Sequence, residues 1–270
     1  MKAFSSQRSA VSNLKNILFT VSIMFLGMII TETNVPAELT LKANHDHIKI
    51  DFFYHGSTVS VAGDADSGTD LIIKIASPEG HETLKQKGKV AGLLWMNTGT
   101  LDLEKVPNLY SIYSTKNIED ILSADEMDKY VIGYPALNRH IELTPAANEI
   151  ERSKWFNEFV KYKESSDLYK TSSGKILTSA KDGKQAYYIL TAWPYQAPPG
   201  DYLVTVYAVK DKKVLEMAEA KVDVEQIGIV KVLASMAESK AALYGIISIA
   251  AALIAGFGVG LIFRKGGGAH

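Results

Sequence analysis

His45-Asp46-His47 is the arrangement in this chain that comes nearest to a set of metal ligands. On a strand, residues two apart point to the same face. His45 and His47 would then present two imidazoles able to hold Cu²⁺ or Zn²⁺, with Asp51 or His55 as a third ligand. The plainer reading is an exposed polar turn ahead of a strand starting near Ile48, because two histidines without a third convergent donor do not make a site. Paired carboxylates, Asp64/Asp66 and Asp102/Glu104, read as solvated acids in or beside turns. Acid–base work would need them to converge across a cleft.

Other chemistry is excluded by missing pieces. No G-x-S-x-G elbow is present for a serine nucleophile. Gly88-Lys89 and Gly183-Lys184 lack the upstream glycine and the Ser/Thr of a phosphate loop. His81-Glu82 has no second histidine at zincin spacing, and Gly256-x-Gly258-x-Gly260 lies inside an apolar run rather than after a strand. The chain has no cysteine, which removes disulfides, thiolate metal sites and a cysteine nucleophile. We therefore assign no catalytic residue and no cofactor, and expect a protein that is not an enzyme.

One spacing points to a partner. Ser248, Ala252, Gly256 and Gly260 follow one another at intervals of four along an uncharged segment. On a helix they form one ridge of small residues. In lipid, where no hydrophobic drive brings helices together, such a ridge permits the close approach on which helix association depends. The competing explanation is that glycine and alanine are common in membrane spans.

The elements that would position these residues divide the chain into unlike pieces. Over 270 residues the charge nearly cancels, 29 Lys+Arg against 30 Asp+Glu. The N-terminus carries Lys2, Arg8 and Lys15 and no acid before a 14-residue apolar run, Ile17 to Ile30, and a polar exit at Thr31–Asn34. That is the layout of a secretory signal over residues 1–37, with Val35-Pro36-Ala37 as the cleavage region, or of an uncleaved anchor. At the other end Leu243 to Phe263 is 21 residues without a charge, about 31 Å as a helix and enough to cross a bilayer. Arg264-Lys265 follows at once, and the positive-inside rule places residues 264–270 in the cytoplasm as a short stub. Both ends then agree, and the body lies on the far side of a bacterial inner membrane, in the periplasm. Between residues 38 and 242 there are 24 basic and 29 acidic residues, a net charge of −5. That disfavours nucleic acid and anionic lipid as partners through bulk charge.

The body reads as strands interrupted once by helix. His47–Phe52 and Thr58–Ala62 alternate, Leu71–Ala76 is a denser apolar run, and Val90–Met96 and Leu109–Ser114 look like further strands. From Ile118 the composition turns helical. Thr144-Pro145 offers a cap and a first-turn proline. Beyond it Ile150, Trp155, Phe156, Phe159 and Val160 form a stripe at helical spacing, which is core packing rather than a cofactor box. Gln185–Trp193, Tyr202–Val209 and Val214–Val224 return to strand, the last two as a hairpin across Asp211-Lys212-Lys213. The expected architecture is mainly β with a helical insertion over about 118–170. It is an immunoglobulin-like β-sandwich spanning 38–224, or two small domains, plus one C-terminal transmembrane helix over 243–263. A juxtamembrane helix over 225–242 would run into that span without a break, since no proline follows Pro199.

Several segments, taken in order, resemble a known family. They are Phe53-Tyr54-His55-Gly56-Ser57-Thr58-Val59-Ser60-Val61-Ala62-Gly63, Lys87-Gly88-Lys89-Val90-Ala91-Gly92-Leu93-Leu94-Trp95-Met96-Asn97 and Val106-Pro107-Asn108-Leu109-Tyr110, followed by Pro199-Gly200-Asp201-Tyr202, Leu243-Tyr244-Gly245 and Phe263-Arg264-Lys265. The resemblance is to the transmembrane protein family first described from alphaproteobacteria, Alph_Pro_TM, and covers nearly the whole chain after the leader. It implies no activity. Family members are associated with neighbouring genes for sulfite-exporter-like TauE/SafE permeases, so the resemblance hints at such a permease as a partner, and it does not include His45 and His47. The expectation is a non-enzymatic single-pass membrane protein, accessory to another integral membrane protein. The alternative is an exported module binding a metal or a small anion.

Overall fold

The structure is a computed structural model and describes residues 38–44, 46–146, 148–181 and 183–264. The expected leader over 1–37, His45 and the expected stub beyond Arg264 lie outside the described residues. The architecture is mainly β, with three sheets and one C-terminal apolar helix.

Two sheets face each other. The first has four antiparallel strands in the order β1 (Lys42–Asn44), β3 (Ser57–Asp66), β11 (Lys184–Trp193) and β10 (Leu177–Lys181). The second has six, in the order β2 (His47–Ile50), β13 (Lys213–Gln226), β12 (Gly200–Lys210), β4 (Asp70–Ala76), β7 (Tyr110–Ser114) and β9 (Tyr169–Ser173). Its outer pairs, β2 with β13 and β7 with β9, are parallel, and its inner pairs are antiparallel. The Tyr113 hydroxyl meets Thr191 Oγ1 at 2.6 Å across the gap between the sheets, and Trp193 sits edge-on to Tyr202 with ring centroids 4.8 Å apart.

The other face of the six-stranded sheet is covered by short helices: α1 (Ile118–Ile121), α2 (Ala124–Tyr130) and α3 (Tyr134–His140). Lys74 Nζ donates to Tyr130 O at 2.6 Å, and the Tyr130 and Tyr207 rings lie 5.3 Å apart. A sheet covered on both faces needs apolar side chains on both. This accounts for the density of the Leu71–Ala76 run, where Leu71, Ile72, Ile73 and Ile75 are all buried. Tyr110 ties the layers: its hydroxyl donates to Val131 O at 2.8 Å and accepts from Gly133 N–H at 2.9 Å.

Two expectations about helix ends change. Thr144 closes the short strand β8 (Glu142–Thr144) instead of capping a helix. The long helix α4 (Glu149–Ser165) starts later, and its cap is Asn148, whose side chain accepts from Glu151 N–H at 2.9 Å. Phe156, Phe159 and Val160 are buried as the stripe requires, while Ile150 is exposed.

The third sheet was not expected. β5 (Glu79–Val90) and β6 (Leu94–Pro107) form a long hairpin, with β8 added beside β6. Val90–Met96 is therefore no single strand but the hairpin's turn, with Ala91 and Gly92 at φ of 51° and 73°. Asp102 and Glu104 lie within β6 rather than beside a turn, whereas Asp66 ends β3 directly before the turn at Ser67-Gly68.

The C-terminal part follows β13 directly. Helix α5 (Gly228–Ser239) ends at Lys240, whose φ and ψ of −139° and 49° leave the helical region. Helix α6 (Ala241–Arg264) begins at the next residue. The expected unbroken rod is thus two helices. Ser239 near this break bonds back to Ser235 O at 2.6 Å, a local pairing that competes with helix continuation.

Candidate functional site

α6 is the one helix among the described residues long and apolar enough to cross a membrane, over Ala241–Leu261, and the sequence there is exposed. Ser248, Ala252, Gly256 and Gly260 all fall on α6. Ala252, Gly256 and Gly260 line a shallow groove together with Leu253, Phe257 and Leu261. Ser248 is partly occupied, since its hydroxyl bonds to Tyr244 O at 2.8 Å. A Cβ placed on Gly256 or Gly260 would meet nothing within 4 Å. Nothing described in this chain needs those positions to be small, although glycine costs a helix interior about 1 kcal/mol relative to alanine.

A second apolar surface stands at the tip of the β5–β6 hairpin. Leu93, Leu94, Trp95 and Met96 are exposed there. Lys89 Nζ sits 5.4 Å from the Trp95 ring centroid. The hairpin's base is fixed to α4 by Lys163, which is 3% exposed and paired with Glu82.

Of the residues that resembled metal ligands, His47, Asp51 and His55 are among the described residues. His45 lies outside the described residues. His47 is on β2 with both ring nitrogens engaged, Nδ1 with Asp223 and Nε2 with Glu225, each at 2.9 Å. The hydrogen bond from His47 holds the Glu225 carboxyl below its ordinary value. Asp51 is used locally, accepting from Phe53 N–H at 2.9 Å. Among the described residues no group of three or more His, Cys, Asp or Glu is placed to hold a metal ion. His81 is likewise taken up by Glu104, at 2.8 Å, and Asp102 by the Thr83 hydroxyl, also at 2.8 Å.

A cavity of about 430 Å³ lies where α3 and the loop before it meet the Ala76 end of β4. Lys74 reaches into it, and burial pushes its ammonium below the ordinary lysine value, against the attraction of Glu219 and Glu79. Tyr207, beside Lys74 at 5.7 Å, is pushed up to about 12 by burial. His140 and Glu79 form a rim pair at 2.6 Å. No motif flagged Lys74. The signal available was a lone lysine within the apolar run Leu71–Ala76.

Among the described residues, a mainly β body is followed by one apolar helix of membrane-spanning length, the make-up of a transmembrane protein. The chain belongs to the family described as Putative transmembrane protein (Alph_Pro_TM), whose model matches residues 38–265. Comparison with curated proteins gives no match.

Proposed function

We propose that this chain is a non-enzymatic accessory protein of the bacterial inner membrane. Its immunoglobulin-like body stands in the periplasm after a signal, and its C-terminus is cytoplasmic. α6 seats a helix of another integral membrane protein in the groove at Ala252, Gly256 and Gly260. A permease of the sulfite-exporter-like TauE/SafE type is the partner that the family resemblance favours. The observation that carries this reading is the pair of glycines whose smallness nothing described in the chain requires. Co-purification in mild detergent with mass spectrometry tests it. The intact chain should bring down one membrane protein, and Gly256→Leu with Gly260→Leu should release it. If both variants keep every association, the groove is not the seat.

The cavity around Lys74 supports a second reading, an exported module for a small anion. A cation partly out of water, at the wall of a small cavity, is a natural counter-charge. Calorimetric titration of the full chain with sulfite and with sulfate separates the readings: binding that Lys74→Met abolishes favours the module, and heats identical for both chains remove it.

A further inference from the structure

Helix α5 has no structural reason to fold in water. It has 12 residues and none is buried, whereas isolated helices shorter than about 12–15 residues are marginal. Ile229, Val232, Leu233 and Met236 recur at helical spacing, and the first three are exposed. Lys231, Ser235 and Glu238 occupy the other side. A stripe of this kind needs a covering surface.

Sheet register shows what else lies at this end of the body. β2 runs parallel to β13, pairing Ile50 with Gln226, and Ile227 N–H donates to Ile50 O at 2.9 Å. The turn after β2 therefore emerges beside the start of α5. Asp51 shapes that turn, its carboxylate taking Phe53 N–H and its carbonyl taking Tyr54 N–H at 3.2 Å. The result is two phenyl rings held outward, Phe52 70% and Phe53 73% exposed, edge to face with centroids 5.3 Å apart. Tyr54 behind them stacks on Tyr195 at 5.7 Å, and Tyr195 is itself exposed. Nothing in the packing of the body explains two neighbouring phenylalanines in water.

We propose that the Phe52–Phe53 turn, Tyr195 and the apolar stripe of α5 together form a lipid-docking surface that seats the body on the bilayer interface. The occupant follows from continuity: only Lys240 separates α5 from the membrane helix α6, so this end of the body is held at the bilayer. Aromatic side chains favour that zone, and an amphipathic helix lies in it with its apolar face buried. The break at Lys240 then lets one helix lie in the interface while the next crosses. The proposal rests on the membrane span and is independent of any partner of α6.

The absence of cysteine makes the test clean. Full-length Phe53→Cys, Val232→Cys and Ser67→Cys each take one environment-sensitive dye and are placed in phosphatidylcholine–phosphatidylglycerol nanodiscs, with and without nitroxide-bearing lipid. Ser67 is an exposed control in the turn between β3 and β4, at the opposite end of the sheets. The dye at Phe53→Cys and at Val232→Cys should shift to the blue and lose most of its emission to the nitroxide lipid, while the dye at Ser67→Cys does neither. Water-like, unquenched emission at all three sites overturns the proposal. So does a blue shift without lipid quenching, which would mean that protein, such as a second copy of the chain, covers this face.

Discussion

At the scale of single residues, polar groups here serve cohesion. Tyr110 is 2% exposed, and burial pushes its phenol far above the ordinary value. It stays neutral and spends its hydroxyl on Val131 O and Gly133 N–H, the junction that turns α2 into α3. Tyr110→Phe leaves both groups unpaired and should cost about 1–3 kcal/mol, read as an earlier midpoint in denaturant at unchanged slope. Glu225 gives a pH dependence whose sign is set by its direction. Its carboxyl is held below the ordinary 4.5 by His47, so its contribution to stability is complete above that value and is lost as pH falls through the lower folded value. Acid unfolding followed by circular dichroism should therefore begin at higher pH in Glu225→Gln, with a small difference because the pair is exposed. Sequence reasoning saw His47 but not this role: the carboxylates that occupy it are 176 and 178 residues away in the chain, and only the parallel pairing of β2 with β13 brings them near.

At the scale of elements, legibility followed burial. The β3, β4, β7, β11 and β12 strands and the α4 stripe were readable because each presents apolar side chains at a fixed period to a core. The β5–β6 hairpin was not, because Glu79–Val90 is mostly charged and polar and exposed along its length. Its apolar residues gather at the turn, where they imitated a strand. The hairpin depends instead on long-range attachment. Lys163 from α4 lies under it, paired with Glu82 and set against the Phe159 and Tyr169 rings at 5.5 and 6.0 Å. Removing one partner of a buried ion pair costs about 3–5 kcal/mol, whereas replacing both with apolar residues is often neutral. Lys163→Met should thus lower the unfolding midpoint sharply, and Lys163→Met with Glu82→Leu should restore most of it. Equal losses in the single and double variants would show that the pair does not act as a unit. The membrane helix stood out because its apolar run exceeds what a small body buries. The groove was visible in spacing alone, while the cavity around Lys74 needed strands and helices far apart in sequence.

At the scale of the whole molecule, the near-zero charge is an average over pieces with opposite duties. Positive residues gather beside the two apolar runs, Lys2, Arg8 and Lys15 at one and Arg264 with Lys265 at the other, while the body between them carries −5. Each basic cluster resists transfer across the membrane, which supports the proposed orientation, body outside and C-terminus in the cytoplasm. Single cysteines can test that orientation in living cells. A membrane-impermeant maleimide should label Ser67→Cys in intact spheroplasts and should reach Gly267→Cys only after the membrane is opened. Reversing Arg264 and Lys265 to glutamate should weaken this asymmetry without abolishing it, because the three N-terminal charges still act. Labelling of Gly267→Cys in intact spheroplasts would invert the topology. The groove on α6 and the aromatic end of the body would still meet the bilayer, but the second apolar surface, Leu93 to Met96, would then face the cytoplasm, and any partner it contacts would have to be sought there.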